Sequence, residues 1–322
     1  MQTALYRKAL SHSWRLAWKH VWLWPLGLFA SMLGQMGIFD LLAKAGAGVS
    51  NFVVIPSWLS APKLTVLLFV QLGLPLEGWI WLILLFVILF GLFIGFVFVA
   101  VVSQGALVDM TARSKISRKK TFPAVEKSWH TGVYHFWTLL GINILRKVVL
   151  IIVFLSVALT ATSVASATSS LNIVLFFISF FLAIFIGMII SLMLVYAVGY
   201  VVVEKYTFSQ SISGAWRLFH DHPLVSIEVG LVLLFANVVV AVITIFGIFL
   251  LFLPAIILWF VGVLAGSYLA FSIAFFIGVM ASILYVMLVG SVFTVFTTST
   301  WTYLFMHMHK NGVKSRIMHW LR

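Results

Sequence analysis

The side chains of this chain that could do chemistry are few and widely spaced. Histidines form two His-X-His pairs, His220-Asp221-His222 and His307-Met308-His309. On a helix, residues two apart point in different directions, so neither pair is a ready chelate. The seven acidic residues are scattered over different segments and make no carboxylate pair for hydrolysis. Cysteine is absent, which removes disulfides, thiolate metal sites and thiol nucleophiles. No phosphate-binding glycine loop, dinucleotide fingerprint, zinc-protease or serine-hydrolase motif occurs. The expectation is a protein that is not an enzyme, with no metal and no cofactor.

What remains is a candidate intramembrane polar site: Asn143, Arg146, Lys147, Glu228 and Asn237 all interrupt apolar runs. If the run around them starts near Phe136, Arg146 lies about 15 Å along a helix rising ~1.5 Å per residue. An ionisable group at that depth marks a functional site. Glu228 is the acid placed to answer it, because helical side chains lean toward their own N-terminus and long ones snorkel. The alternative start, at Val148, makes Arg146 and Lys147 ordinary flanks of a span. Asn143 and Asn237 are expected to make interhelical hydrogen bonds, each worth about 0.6 kcal/mol.

The elements that must hold these residues are membrane helices. Of 322 residues, 63% are hydrophobic and 8% charged, and mean hydropathy is +1.19. A soluble domain carries about 25% charged residues. Several apolar runs exceed the ~20 residues needed to cross the hydrocarbon core. Spans are expected at Val21–Phe39, Trp79 to about Ser103, Phe136 to about Leu159, Leu171 to about Val203, Leu224 to about Phe252, and from near Ser267 toward Lys310. An uncharged Ala/Ser/Thr linker, Thr160 to Ser170, separates the third and fourth. Short re-entrant or surface-lying segments are expected near 61–75 and, beyond Pro254, near 254–265. Gly91-Leu-Phe-Ile-Gly95 is a GxxxG that fits internal packing or dimerisation.

A net charge of +13 could indicate nucleic acid, but the cations flank apolar runs, where positive-inside bias is the simpler cause. With six spans, sixteen cations fall on one side and only Lys44 and Lys63 on the other. Both termini are therefore expected in the cytoplasm of a prokaryote, in a multi-pass plasma-membrane protein. The basic N-terminus lacks a small-residue cleavage site before the first span, so that span is expected to be retained.

One stretch recurs three times: Trp14 to His20, Trp129 to His135, and Trp216 to His222. Each Trp precedes a His by six residues, and an apolar run follows at once. Trp14, Trp129 and Trp216 read as interfacial anchors, and His20, His135 and His222 as the bend into the bilayer. The chain thus reads as all-α, one transmembrane domain over 1–322, with six spans in three parallel repeats of an interfacial helix plus two spans. The units are about 1–110, 121–204 and 207–310, with a basic tail at 311–322. Parallel repeats permit a pseudo-three-fold bundle or a linear array of hairpins.

The segments Ser13-Trp14-Arg-Leu-Ala-Trp-Lys-His-Val-Trp-Leu-Trp24, Gly105-Ala-Leu-Val-Asp109, Val203-Glu-Lys-Tyr-Thr-Phe208 and Ala215-Trp-Arg-Leu218 resemble a broad group of uncharacterised prokaryotic polytopic proteins. That group includes the membrane domain fused to some glycerophosphodiester phosphodiesterases. The resemblance implies a six-helix membrane domain without catalysis, since no phosphodiesterase domain accompanies it here.

The expected function is that of a non-catalytic multi-span protein organising lipid or a protein partner through a Trp-rich basic collar. Expected partners are anionic headgroups, a protein partner or a second copy of the chain, and not nucleic acid. The alternative is a transporter or permease component for a small solute, built around the polar residues above.

Overall fold

The computed structural model describes residues 5–33, 76–116, 125–166, 170–264 and 268–311, and among these it is helical without a strand. Backbone polar groups in hydrocarbon have no water to bond, so a long apolar run must satisfy them within a helix. In chain order the helices are α1 (Leu5–Lys19), α2 (Trp24–Ser31, entered through a 3-10 turn at Val21–Leu23), α3 (Leu76–Ile116), α4 (Val125–Tyr134), α5 (Phe136–Ser166), α6 (Ser170–Val203), α7 (Phe208–Asp221), α8 (Pro223–Leu264) and α9 (Tyr268–Asn311). Helices α3, α5, α6, α8 and α9 each contain a stretch long and apolar enough to cross a membrane. This is a helical, multi-pass architecture.

Two expected boundaries change. The helix α8 does not stop at Pro254 and fold back over 254–265; it continues to Leu264 with Pro254 inside it. Folding back would strip apolar residues of their backbone hydrogen bonds, whereas a membrane helix tolerates one proline. The expected linker at 160–166 is the last part of α5. Thr160 returns its hydroxyl to the carbonyl of Val157 at 2.9 Å and meets Ser179 Oγ of α6 at 2.8 Å, so the polar residue is absorbed without leaving the helix. Of the expected first span, Val21 to Leu33 is described, and α2 within it is only eight residues long. The segment near 61–75 and the tail beyond 311 lie outside the described residues.

The three short helices α1, α4 and α7 are amphipathic. Their inner faces carry small residues: Ala9, Ser13 and Ala17 on α1, Ser128 and Gly132 on α4, Ser211 and Ala215 on α7, all buried. Small residues let one helix lie close across another. Accordingly α4 rests on α3, α7 on α6, and α1 on α9. At Gly132 an added Cβ would strike the carbonyl oxygen of Val102 on α3. At Gly27 of α2 it would come within 2.5 Å of the Ser291 carbonyl on α9.

The core sits at one end of the long helices. It is built from Ala100–Met110 of α3, Leu192–Val202 of α6 and Val292–Met308 of α9, and these three helices also touch one another. Helix α2 packs between α9 and α3, while α5 pairs with α6 and α8 with α9 as antiparallel hairpins. The other halves of the long helices are bare. On α3 every large apolar residue from Ile80 to Phe96 is exposed, and on α6 those from Leu171 to Phe185 are nearly all exposed.

Candidate functional site

Polar groups are concentrated in the packed end. Asn143 of α5 is buried and donates from Nδ2 to Gln104 Oε1 of α3 at 2.7 Å, and to the Leu139 carbonyl at 2.9 Å. One turn further along α5, Arg146 is also buried, at 5% exposure, whereas Lys147 is exposed. Glu228 of α8 is half-buried, and among the described residues no ion pair joins it to Arg146. Asn237 is further along α8, half-buried, and its Oδ1 has no protein partner. The structure therefore sets Asn143 beside Gln104 with Arg146 buried one turn along the same helix, and leaves Glu228 and Asn237 on another helix.

Sequence reasoning did not single out Gln104, nor two further side-chain links. Tyr196 of α6, fully buried, donates to Ser226 Oγ of α8 at 2.9 Å, and Ser226 donates to the His222 carbonyl at 2.9 Å. Thr111 of α3 and Ser299 of α9 lie 3.2 Å apart through their hydroxyls. The available signal was the polar interruption of apolar runs, at Ser103-Gln104 and across Thr297 to Thr302. At the centre of α3, α6 and α9 is a cavity of about 30 Å³, lined among others by Val108, Gly199, Thr298 and Trp301. That volume holds about two water molecules, and the Trp301 indole N–H beside it has no protein acceptor.

The repeated Trp-to-His stretch has a consistent geometry. Each short helix ends just before its histidine, and the next element starts just after it. His20 separates α1 from the turn into α2, His135 separates α4 from α5, and His222 separates α7 from α8. His20 and His222 are non-helical, at φ −120°, ψ 79° and φ −134°, ψ 52°. Trp14 and Trp216 are about half exposed, while Trp129 packs against the core. The Trp14 ring stands edge-on to Phe296 of α9 at 5.8 Å. In α7 the start is also fixed: Thr207 and Gln210 form a reciprocal cap, which satisfies two of the unpaired N–H groups at that end.

Charge gathers around these bends. Arg7, Lys8, Arg15, Lys19, Lys127, Lys205 and Arg217 are exposed. Asp109 at the end of α3 is tied to Arg113 at 2.6 Å, and His309 meets Glu204 at 3.5 Å. Burial lowers the pKa of His135, Lys205 lowers it further, and Asp109 opposes them. His20 is lowered by burial and then by Lys19. Among the described residues no group of three or more His, Cys, Asp or Glu is placed to hold a metal ion. No family model, curated protein or solved structure matches the chain.

Proposed function

We propose that the chain is a non-catalytic multi-span membrane protein that organises anionic lipid at the face where its amphipathic helices gather. The observation that carries this reading is the division of the long helices into a bare apolar half and a packed half ringed by exposed Trp and cations. The most apolar 18-residue windows of α3 and α6 have no buried residue at all. From Ile80 to Phe96 the bare part of α3 spans about 25 Å at ~1.5 Å per residue, close to the ~30 Å hydrocarbon core. An apolar surface of that height is covered by acyl chains in a bilayer. The packed halves then stand at the headgroups and beyond, with Arg146 and Lys147 at the boundary rather than at midplane.

In this reading the three Trp-to-His units are equivalent. The cyclic order of packing supports it, because each short helix lies on the long helix that precedes its unit, α1 closing the ring on α9. The reading keeps six spans in three units, with the collar and both termini on the cytoplasmic side of a prokaryotic plasma membrane. Exposed cations there attract anionic headgroups by roughly 1 kcal/mol each. The small central cavity favours this reading over passage of a solute along the bundle axis. A protein partner, or a second copy, would share the same collar.

The test is lipid enrichment by the full-length protein in bilayers of phosphatidylglycerol and phosphatidylcholine. Enrichment of the anionic lipid should fall as salt rises, since screening shortens the reach of exposed charge. Equal uptake of both lipids at low salt would sink the reading.

A further inference from the structure

An open groove of about 430 Å³ runs under α7, lined by Met193 of α6 and by Phe208, Ser209, Ile212, Ser213 and Trp216 of α7. The walls are apolar apart from two serine hydroxyls. The groove lies where α6 changes character: residues up to Ile186 are mostly exposed, 187–190 are half-buried, and Ser191 and Leu192 are buried. Met193 is thus about two turns past the end of the bare band, and the groove is continuous with a surface that acyl chains cover.

An exposed cation shares that level. Thr160 meets Ser179 at 2.8 Å, and an added Cβ at Gly187 would lie 3.8 Å from Leu150. This antiparallel register sets Lys147 of α5 level with residues 190–192, one turn from Met193. Helix α7 reaches α5 about 9 Å from Lys147 along the helix at ~1.5 Å per residue, where an added Cβ at Gly141 would sit 3.2 Å from the Phe208 ring. Arg217 follows Trp216 on α7 and is exposed.

We propose that this groove is a retained phospholipid site, resting on the lipid-organising reading above. One acyl chain lies along Met193, Ile212 and Trp216, and the anionic phosphate sits among Lys147, Arg217 and the serine hydroxyls. The amphipathic helix α7 is then a clamp that holds one lipid against the hairpin of α5 and α6. The broader collar attracts anionic lipid without selecting individual molecules.

The experiment uses the full-length protein in nanodiscs with phosphatidylglycerol carrying a photoreactive diazirine near its acyl terminus. Label should concentrate on peptides containing Met193 or residues 208–216, and phosphatidylglycerol should survive delipidation in native mass spectrometry. Ser213→Trp fills the groove and should abolish both signals. Lys147→Gln and Arg217→Gln should each lower retention of phosphatidylglycerol over phosphatidylcholine about fivefold, the preference that one nearby cation confers. Label on wild-type protein spread evenly over α3, α8 and α9 overturns the proposal without recourse to any variant. So does full retention by a monodisperse Ser213→Trp protein. Salt-sensitive enrichment of phosphatidylglycerol with no label in the groove sinks the groove alone; loss of that enrichment sinks the lipid-organising reading too.

Discussion

Asn143 of α5 and Gln104 of α3 are joined by one hydrogen bond of 2.7 Å between fully surrounded amides. Two helices that leave the core for separate apolar arms are thereby pinned at their common end. The two partners are not equally replaceable. Gln104 keeps an unpaired Nε2, whereas both hydrogens of Asn143 Nδ2 are used, one on Gln104 and one on the Leu139 carbonyl. Asn143→Leu leaves the whole Gln104 amide buried without a protein partner and should cost about 1–3 kcal/mol. Gln104→Met leaves one of the Asn143 bonds in place and should cost less. The double variant should recover most of the loss, and a double-mutant cycle of thermal unfolding in detergent measures the coupling. Additive losses would show that the two amides do not act as a pair.

Glycines separate the packed end from the bare end just as sharply. At Gly132 a methyl group meets the Val102 carbonyl oxygen, which is backbone and cannot swing away. Gly132→Ala should therefore lift α4 from α3 and lower stability by about 1–3 kcal/mol, the usual cost of overpacking. At Gly91 and Gly95 an added Cβ meets nothing within 4 Å. Gly91→Ala and Gly95→Ala should leave thermal stability unchanged or raise it by up to about 1 kcal/mol, through helix propensity alone. The GxxxG pattern thus has no partner among the described residues, and side-by-side melting curves of the three variants check the contrast.

How much of this was legible beforehand follows from the kind of signal each feature carries. Hydropathy marked the long helices, because hydrocarbon permits few other backbone solutions. The Trp-to-His spacing marked the bends at His20, His135 and His222, because each lies where an amphipathic period gives way to an unbroken apolar run. Proline misled at Pro254, where a local rule for soluble helices loses to the need to keep apolar backbone bonded. The Thr160 region misled for a similar reason, since hydroxyls can return to their own helix. The partner of Asn143 was hidden because Gln104 is thirty-nine residues away and no periodicity connects two helices across a core. Arg146 drew attention by its charge, while Tyr196 and Ser226 look like ordinary members of their runs.

Acid should loosen the collar. His135 has a pKa below the ordinary value of 6.5, chiefly from burial and then from Lys205, against Asp109; His20 is lowered by burial and Lys19. Well above pH 6.5 both are neutral in the folded and unfolded chain, so they add no pH dependence there. Below it the unfolded chain takes up protons that the folded chain resists, and stability falls as pH drops toward the lowered folded values. Apparent melting temperature between pH 7.5 and 5.5 should therefore decline in wild type and decline less in a His20→Gln, His135→Gln variant. An equal decline in both would place the acid sensitivity elsewhere.

The bend at His222 gives the most specific expectation, because three residues from two helices meet there. Tyr196 O–H donates to Ser226 Oγ, and Ser226 O–H donates to the His222 carbonyl that ends α7. Tyr196→Phe removes the first donor and leaves Ser226 still bonded to the bend, so it should cost about 0.5–1.5 kcal/mol, one ordinary hydrogen bond. Ser226→Ala strands the tyrosine hydroxyl among Trp301 and the apolar core, where a buried group without an acceptor costs about 1–3 kcal/mol. The His222 carbonyl keeps the Ser226 backbone N–H at 3.2 Å, so the backbone of the bend survives either change. Ser226→Ala should thus be the worse of the two, although each change removes a single hydroxyl oxygen. Hydrogen exchange at the last turn of α7 should rise modestly, and more in Ser226→Ala, which alone loses the side-chain bond to the His222 carbonyl. If Tyr196→Phe instead proves the more damaging, the stranded hydroxyl is not the larger cost, because phenylalanine keeps the ring contact with Trp301 at 5.7 Å.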